Sequence, residues 1–131
     1  EHKGLLEFML RNKSKKISGF TNKKWSGSTT LQLAKLIKWS ITESNFKNLL
    51  AKTNIIHFAP LGPTTKYEII KVFSKLIDGS TIIKGEGPIQ TRILKTNYIE
   101  EINLKRYGTS LEDAFQELIQ FELEYVKTYK N

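Results

Sequence analysis

Two residues in this sequence have the types and spacing that proton transfer requires. Tyr67 and Lys71 lie four residues apart, so on a helix they share a face, and the lysine would lower the pKa of the tyrosine hydroxyl. The spacing alone is weak, because any Tyr and Lys four residues apart would match it. No glycine-rich strand-to-helix turn precedes Tyr67, which follows a proline-bounded loop. We therefore interpret Tyr67 as a packing residue at a helix start and Lys71 as an exposed side chain.

The other reactive side chains form no recognisable catalytic or metal site. His2 is near the first residue and His57 lies in an apolar run, where we interpret it as a hydrogen-bonded core residue. Two histidines so placed do not make a metal site, and without cysteine there is no thiolate ligand or nucleophile. The segment 85–88, Gly-Glu-Gly-Pro, lacks the lysine and serine of a phosphate loop. We predict no catalytic, cofactor-binding or metal-binding residue here.

The net charge and hydropathy bound the classes of partner. A formal charge of +8 would suit nucleic acid, but the densest basic run, residues 11–16, holds no aromatic ring for base stacking. Later lysines are interleaved with Glu, so we do not expect a nucleic-acid partner. No apolar run approaches the roughly 20 residues that span a bilayer, and the first four residues do not resemble a signal peptide. Together with the absence of cysteine, which fits a reducing compartment, these features predict a cytoplasmic protein that does not bind membranes.

The first half of the chain shows a helix, an extended segment and a second helix. Residues 4–10 contain a short apolar cluster that favours a helix, and residues 17–25 look extended, with Gly19 and Asn22 as turn formers. Thr29 or Thr30 can cap the next helix. The apolar positions of that helix are Leu33, Leu36, Ile37 and Ile41, with Trp39 on a flank. The apolar run 55–59 stops at Pro60 and predicts a buried strand, followed by a loop over 61–63.

The second half repeats the alternation of helix and strand. Thr65 and Glu68 have the spacing of a capping box, and residues 81–83 predict a short strand. Ser110 and Asp113 open the last helix. The residues predicted to face inward are Ile69, Ile70, Phe73, Leu76 and Ile77 in the first of these helices and Leu111, Ala114, Phe115, Leu118, Ile119 and Val126 in the last. We predict an α/β fold, or α+β as an isolated fragment, with a few short strands and about four helices.

Four blocks of the sequence, in their order and spacing, resemble a known family. They are "KGLLEFML", "SGFTNKKWSGSTTLQLAKLI", "IIHFAPLGPTTKYEIIKVFSKLI" and "TRILKTN". Together they resemble the C-terminal half of extended short-chain dehydrogenases/reductases that act on nucleotide sugars, and most of all the dTDP-4-dehydrorhamnose reductase-like members. The resemblance covers nearly the whole chain. It implies that residues 1–131 are a single substrate-binding domain or fragment, the C-terminal lobe of a Rossmann-fold enzyme.

The resemblance also implies where substrate would bind. The turn that contains Phe20 and Asn22 matches the family segment near the nucleotide base, and Arg92 matches an arginine that reaches the substrate phosphate. Trp25 stands where many epimerases and dehydratases have an arginine facing the diphosphate, and it could stack on a base or sugar. Gln32 replaces a common Asp, and Ile93 replaces a common Pro. The predicted substrate-binding residues are therefore Phe20, Asn22, Trp25 and Arg92.

The N-terminal dinucleotide-binding half of such an enzyme is absent from this chain. The resemblance implies that the parent protein uses NAD(P) and a nucleotide sugar, whereas residues 1–131 alone would bind no cofactor and reduce nothing. The exposed faces of an isolated lobe would favour a homodimer or binding of a hydrophobic dye. Two alternatives stay open. One is the lobe of a nucleotide-sugar epimerase or dehydratase, and the other is a non-catalytic basic interaction module.

Overall fold

A computed structural model describes residues 4–42, 45–98, 100, 102–108 and 110–129, without the side chains of residues 104 and 126–129. The helices and strands follow in this order: α1 (Leu5–Arg11), β1 (Lys16–Phe20), β2 (Lys23–Gly27), α2 (Thr30–Ile41), α3 (Asn45–Leu50), β3 (Leu61–Thr65), α4 (Lys66–Leu76), β4 (Thr81–Gly85), β5 (Gln90–Arg92), a 3-10 turn (Leu104–Tyr107) and α5 (Leu111–Tyr129). The predicted mixture of helices and short strands is confirmed, with five α-helices in the described part rather than about four.

The strands form two small sheets with parallel pairs. In the first sheet β1 pairs with β4 in parallel, with Lys16 opposite Thr81 and Phe20 opposite Gly85. The second sheet has the order β3-β2-β5, and β2 and β5 are also parallel. The extended segment predicted over 17–25 is thus two strands joined at Thr21 and Asn22. Their parallel partners, β4 and β5, are distant in the sequence, which provides the long connection that a parallel pair requires.

The chain divides into two compact units. Unit 1 comprises Glu1–Trp25 and Pro63–Ile93, and unit 2 comprises Ser26–Gly62 and Leu94–Asn131. Each unit is therefore built from two separate segments of the chain. The four predicted substrate-binding residues all fall in unit 1, and Gln32 falls in unit 2.

Unit 1 is organised around α4, which packs on both strands of the β1–β4 pair. Its side chains Ile69, Ile70 and Phe73 are buried, as predicted, and Met9 of α1 is fully buried in the same unit. The helix and β1 approach closely at Gly19, where an added Cβ would lie 2.8 Å from Cα of Tyr67. A glycine at this point allows the helix to lie against the strand backbone.

The first turn of α4 carries the capping box that the sequence predicts. Thr65 Oγ1 accepts a hydrogen bond from the Glu68 backbone N–H at 3.2 Å, and Glu68 Oε2 accepts one from the Thr65 backbone N–H at 2.8 Å. The hydroxyl of Thr64 also donates to Glu68 Oε2 at 2.9 Å. The bond from Thr65 N–H, followed by that from Thr64, lowers the pKa of the Glu68 carboxyl below its ordinary value of 4.5. These bonds satisfy two backbone N–H groups at the start of the helix that have no acceptor within the helix itself.

We expect Glu68→Gln to be less stable than wild type at neutral pH, and we expect this difference in unfolding free energy to disappear as the pH falls. A lowered folded-state pKa stabilises the protein above the unfolded value of about 4.5. That stabilisation disappears as the pH falls through the folded-state pKa, so the wild type should approach the variant below pH 4.5. Urea unfolding of both proteins from pH 7 to pH 3 measures this. A constant difference across that range would mean that the carboxylate charge contributes nothing at the cap.

The core of unit 2 lies between helices α2 and α3 and the 3-10 turn. Leu36, Leu49, Ile102 and Tyr107 are buried together, and three partly buried side chains pack against them: Trp39, Ile56 and Phe58. The rings of Phe58 and Tyr107 meet edge to face, with centroids 5.1 Å apart. An edge-to-face pair of this kind adds about 0.5–1.5 kcal/mol beyond burial.

Several sequence predictions around this core are wrong. Residues 55–59 form no strand and Ile55 is 69% exposed, whereas β3 begins at Leu61, inside the predicted loop. His57 is accordingly an exposed loop residue and not a core residue in a strand. Pro60 lacks an N–H, and the Ala59 N–H donates to Thr96 Oγ1 rather than to a strand, so the apolar run joins no ladder.

The two long helices of unit 2 bury less than their apolar patterns predict. On α2 Leu36 is buried, but Leu33, Ile37 and Ile41 are exposed. On α5 Ala114 and Phe115 are buried. The remaining predicted residues of α5 are half-buried, namely Leu111, Leu118 and Ile119, and the side chain of Val126 lies outside the described residues.

Candidate functional site

Trp25 and Arg92 are direct neighbours in the structure. They are register partners at the end of the parallel pair β2–β5, in which the backbones of adjacent strands lie about 4.8 Å apart. Side chains at partnered positions point to the same face of a sheet, and so do residues two apart along a strand. The indole, the guanidinium, Lys23 and Gln90 therefore share one face. Trp25 is half-buried and Arg92 is exposed, so the pair forms an accessible cation beside an aromatic ring.

The neighbours of Arg92 fix its orientation without neutralising it. With the Gln90 amide oxygen turned toward Arg92, that oxygen accepts from Nη2 at 2.8 Å and from Nε at 3.1 Å. Within the described part of the chain, no salt bridge joins Arg92 to a carboxylate. A guanidinium with free N–H groups can meet a phosphate or carboxylate through two parallel hydrogen bonds.

Asn22 connects the loop after β1 to the loop after β4. Its Nδ2 donates to the Gly87 carbonyl at 2.6 Å, and its Oδ1 accepts from the Gly87 N–H at 3.1 Å. Beside it, the Thr21 N–H donates to the Gly85 carbonyl at 3.0 Å. The Asn22 side chain thus continues the pattern of a strand pair beyond the end of the sheet. This holds residues 20–23 against residues 85–87.

Phe20 lies under lysine side chains. Lys23 Nζ is 4.4 Å from the centre of the Phe20 ring, and Lys66 Nζ is 5.8 Å from it. The Phe20 ring also lies beside Gly87, where a Cβ would come within 3.2 Å of the ring carbons. A half-buried ring with ammonium groups over its face gains cation–π attraction and concentrates positive charge at the surface.

Tyr67 and Lys71, the pair with the spacing for proton transfer, belong to the same basic region. Lys71 Nζ and Lys84 Nζ each lie 5.8 Å from the centre of the Tyr67 ring. Tyr67 is half-buried against Gly19, and Lys71 is exposed. This arrangement agrees with the packing role that we infer from the sequence.

The positive charge of the protein is concentrated in unit 1. The two segments of unit 1 hold 12 Lys and Arg against 5 Asp and Glu, a formal charge of +7. The segments of unit 2 hold 9 against 8, a formal charge of +1. The basic character is therefore a property of the unit that contains Trp25 and Arg92. The positive charge is therefore not spread evenly over the whole chain.

Gln32 has a structural role in unit 2. It is fully buried, and its Nε2 donates to the carbonyls of Tyr107 at 2.6 Å and Gly108 at 3.0 Å. Its Oε1 accepts from the Thr29 N–H at 2.9 Å, while Thr29 Oγ1 accepts from the Gln32 N–H, which completes a capping box. All these bonds are within the protein, and they hold the 107–108 turn at the start of α2.

A basic cavity of unit 2 was missed at the sequence level. Arg106 lies over the rings of Trp39 and Tyr107, 5.9 and 5.7 Å from their centres, beside a cavity of about 390 Å³. Burial raises the pKa of Tyr107, and the charge of Arg106 opposes this. The run Lys-Arg-Tyr over 105–107 was the only local signal for this feature.

The structure thus brings together Phe20, Asn22, Trp25 and Arg92, and it adds lysines that sequence reasoning missed. These lysines come from three separate segments of the chain, so no local sequence pattern could predict that they lie together: Lys23, Lys66 and Lys84. These residues together place positively charged groups, which attract anions, next to aromatic rings. They include no arrangement of acid, base and nucleophile. Among the described residues, no three or more His, Asp or Glu side chains are grouped to hold a metal ion.

No helix in the described part of the chain combines the length and apolar character needed to cross a membrane. Comparison of the chain with protein-family models, with curated proteins and with solved structures finds no match.

Proposed function

We propose that unit 1 binds the nucleoside diphosphate part of a nucleotide sugar. In this proposal the chain is the substrate-binding part of an NAD(P)-dependent nucleotide-sugar reductase that resembles dTDP-4-dehydrorhamnose reductases. Such a protein works on activated sugars in the cytoplasm, in deoxysugar or polysaccharide biosynthesis. The lobe of a nucleotide-sugar epimerase or dehydratase would have the same ligand chemistry.

The single observation that carries the proposal is the pairing of Trp25 with Arg92. A nucleoside diphosphate presents two phosphates, which match a planar guanidinium, next to an aromatic or sugar surface, which matches an indole. The two residues share one face of the β2–β5 pair, and the Gln90 amide lies within hydrogen-bond distance of the guanidinium when its oxygen is turned toward Arg92. A cation and a ring at partnered positions of two neighbouring strands suit a ligand that is anionic at one end and flat at the other.

Phe20 and Asn22 have supporting roles in this site. Both polar atoms of the Asn22 amide are hydrogen-bonded to Gly87, so we assign Asn22 to positioning the loop rather than to ligand contact. Phe20 lies at the end of β1 with Lys23 over its ring. Its half-buried ring anchors the lysine and leaves an edge for contact with a base.

The glycine-containing loop of unit 1 differs from the turn that binds a nicotinamide cofactor. Such a cofactor binds at a glycine-rich turn between a strand and a helix. Here the glycine-containing loop 86–89 leads from β4 into β5, so it opens no helix. In this proposal NAD(P) binding and hydride transfer belong to an N-terminal dinucleotide-binding half of the parent protein.

We expect Arg92→Ala to weaken binding of dTDP or UDP about 10- to 100-fold, because a charge-assisted bidentate contact contributes about 1.5–3 kcal/mol. Trp25→Ala should also weaken binding, with little dependence on salt, since stacking is not a long-range charge effect. Calorimetric titration of residues 1–131 with each nucleoside diphosphate at two ionic strengths measures both changes.

Lys95→Ala is the control for removal of an exposed cation, because this residue follows β5 but lies in unit 2. It should leave the dissociation constant within twofold of wild type. If Arg92→Ala and Trp25→Ala also stay within twofold, these residues are structural and the proposed site is wrong. Wild-type protein that binds a single-stranded oligonucleotide more tightly than any nucleoside diphosphate would favour the basic interaction module, for which the charge of unit 1 is the supporting observation.

A further inference from the structure

The lysines of unit 1 outnumber what a nucleoside diphosphate needs for direct contact. A diphosphate that links a nucleoside to a sugar carries about two negative charges, and one arginine can meet both phosphates. Around Phe20 and Tyr67 the structure places four more cations over the two rings: Lys23, Lys66, Lys71 and Lys84. The Trp25–Arg92 contact with a diphosphate therefore does not account for these four lysines.

Two exposed carboxylates of the described part of unit 1, Asp78 and Glu86, can offset some of the charge of these lysines through solvent, and neither forms a salt bridge with them. Unit 1 contains five acidic residues. Of these, Glu7 forms a salt bridge with Arg11, and one carboxylate oxygen of Glu68 accepts a hydrogen bond in the α4 cap. Within residues 4–25 and 63–93, none of the four lysines forms a salt bridge. Lys71 lies close enough to Glu68 to lower the pKa of that carboxyl, which offsets part of its own charge.

The cations are continuous with the Trp25–Arg92 pair. Lys23 lies two residues before Trp25 on the same strand face and opposite Gln90. The same lysine lies over the Phe20 ring, whose other cation is Lys66. A strip of positive charge thus runs from the end of β5 to the start of α4, and it belongs to a unit whose formal charge, these residues included, is +7.

We propose that Lys66, Lys71 and Lys84, linked to the site through Lys23, form a capture surface for phosphate-bearing ligands. The surface holds the ligand in a loose encounter complex, from which it moves to the Trp25–Arg92 pair. Such a field raises association rates, while short-range contacts set the dissociation rate. This inference rests on the proposed function, because the captured ligand is the nucleoside diphosphate of that same site.

The kinetic test replaces the three capture lysines with glutamine and measures dTDP or UDP binding by stopped-flow fluorescence. We expect the association rate constant to fall about 10-fold at low salt. The dissociation rate constant should change less than twofold. At about 0.5 M salt the two proteins should associate equally fast, because screening removes the field. A matched variant removes three exposed lysines of unit 2: Lys38, Lys47 and Lys105. It should change the association rate less than twofold.

A second measurement reports the field without a nucleotide. In a Trp39→Phe background, Trp25 is the only tryptophan, and its quenching by iodide reflects the local concentration of anions. We expect the ratio of iodide to acrylamide quenching constants to fall about 2- to 3-fold in the triple-glutamine variant. An unchanged ratio would overturn the capture surface.

The two measurements separate the failure of this inference from failure of the proposed function. Nucleotide binding with an association rate that the triple variant leaves unchanged overturns the capture surface and leaves the proposed site intact. Absence of any nucleoside diphosphate binding by wild type overturns both, and the quenching ratio then shows whether the positive field exists without that ligand.

Discussion

Replacing Gln32 with a glutamate is expected to destabilise the protein by about 3–5 kcal/mol at pH 7, the cost of a buried charge without a partner. The Gln32 side chain is fully buried, and its NH₂ group donates to the carbonyls of Tyr107 and Gly108. A carboxylate of the same shape would keep the bond from the Thr29 N–H. It would also place a negative oxygen against two carbonyl oxygens, which repel it.

The loss should depend on pH, with a sign that can be worked out. Repulsion and burial raise the folded-state pKa of the introduced carboxyl above its unfolded value of about 4.3. The protonated form can donate to one of the two carbonyls, so the variant is most stable below the unfolded pKa. That stability is lost as the pH rises through the folded-state pKa. The substitution should therefore cost least near pH 4 and most at neutral pH.

Urea unfolding of wild type and Gln32→Glu from pH 4 to pH 8 measures this trend, and Gln116→Glu adds the same charge at an exposed position of α5. The exposed control should stay within about 0.5 kcal/mol of wild type. A loss at Gln32 that is below about 1 kcal/mol, the typical net contribution of one hydrogen bond, or that is independent of pH would mean that the amide does not hold the 107–108 turn.

Adding a single methyl group at Gly19 is expected to cost about 2–3 kcal/mol by overpacking. The new Cβ would lie 2.8 Å from Cα of Tyr67 and 2.9 Å from Cδ1 of Ile70. The first of these atoms belongs to the backbone of α4, so it cannot move aside by a change of rotamer. The helix must instead shift away from β1, which loosens the buried contacts of Ile70.

Thermal unfolding of Gly19→Ala against Gly62→Ala tests this close approach. Nothing lies within 4 Å of a Cβ at Gly62, so that variant should keep or slightly raise the melting temperature. Equal melting temperatures for the two variants would show that α4 does not lie as close to β1 as described. Because Gly19 precedes Phe20, the Gly19→Ala variant should also weaken nucleoside diphosphate binding if the site depends on this packing.

Local signals in the sequence predicted the starts of α2 and α4, with Thr29 or Thr30 as the cap of α2 and a capping box only at α4, whereas α3 was not predicted. Thr65 and Glu68 are three residues apart, and so are Thr29 and Gln32, and each capping box is closed by atoms within one turn. The apolar period of α4 also predicted its buried side chains, since one face of that helix packs on the strands. These features depend on neighbours in the sequence, so the sequence alone could reveal them.

Strand pairing could not be predicted in the same way. The run 55–59 is as apolar as a buried strand, yet it lacks a partner ladder, and Ile55 is exposed. The strand that does form, β3, contains Gly62 and Pro63, which favour loops. Distant residues determine where this strand forms, because the rest of the sheet provides the free edge with which it pairs and the side chains that bury it.

The candidate site likewise combines a part that could be expected from the sequence with a part that depends on residues far apart in the chain. Resemblance to a family placed Trp25 and Arg92 in one site, and the register of β2 and β5 makes them neighbours. No local pattern could show that Asn22 pairs with Gly87, a residue 65 positions away. The lysines over Phe20 and Tyr67 likewise come from separate segments. Their assembly is visible only after the parallel strands have been placed.

The division of the chain also constrains how it can fold during synthesis. Each unit takes its residues from two segments, and the second segment of unit 1 follows 37 residues of unit 2, Ser26–Gly62. A growing chain that ends at Gly62 has made β1 and β2 but neither β4 nor β5. The β1–β4 pair must therefore wait until Gly85 has been made and the β2–β5 pair until Arg92, and α1 lacks its contacts with α4 until Leu76 has been made. Late closure of both sheets leaves the edges of β1 and β2 without their parallel partners while the residues between β2 and β4 are made, when a chaperone would bind them.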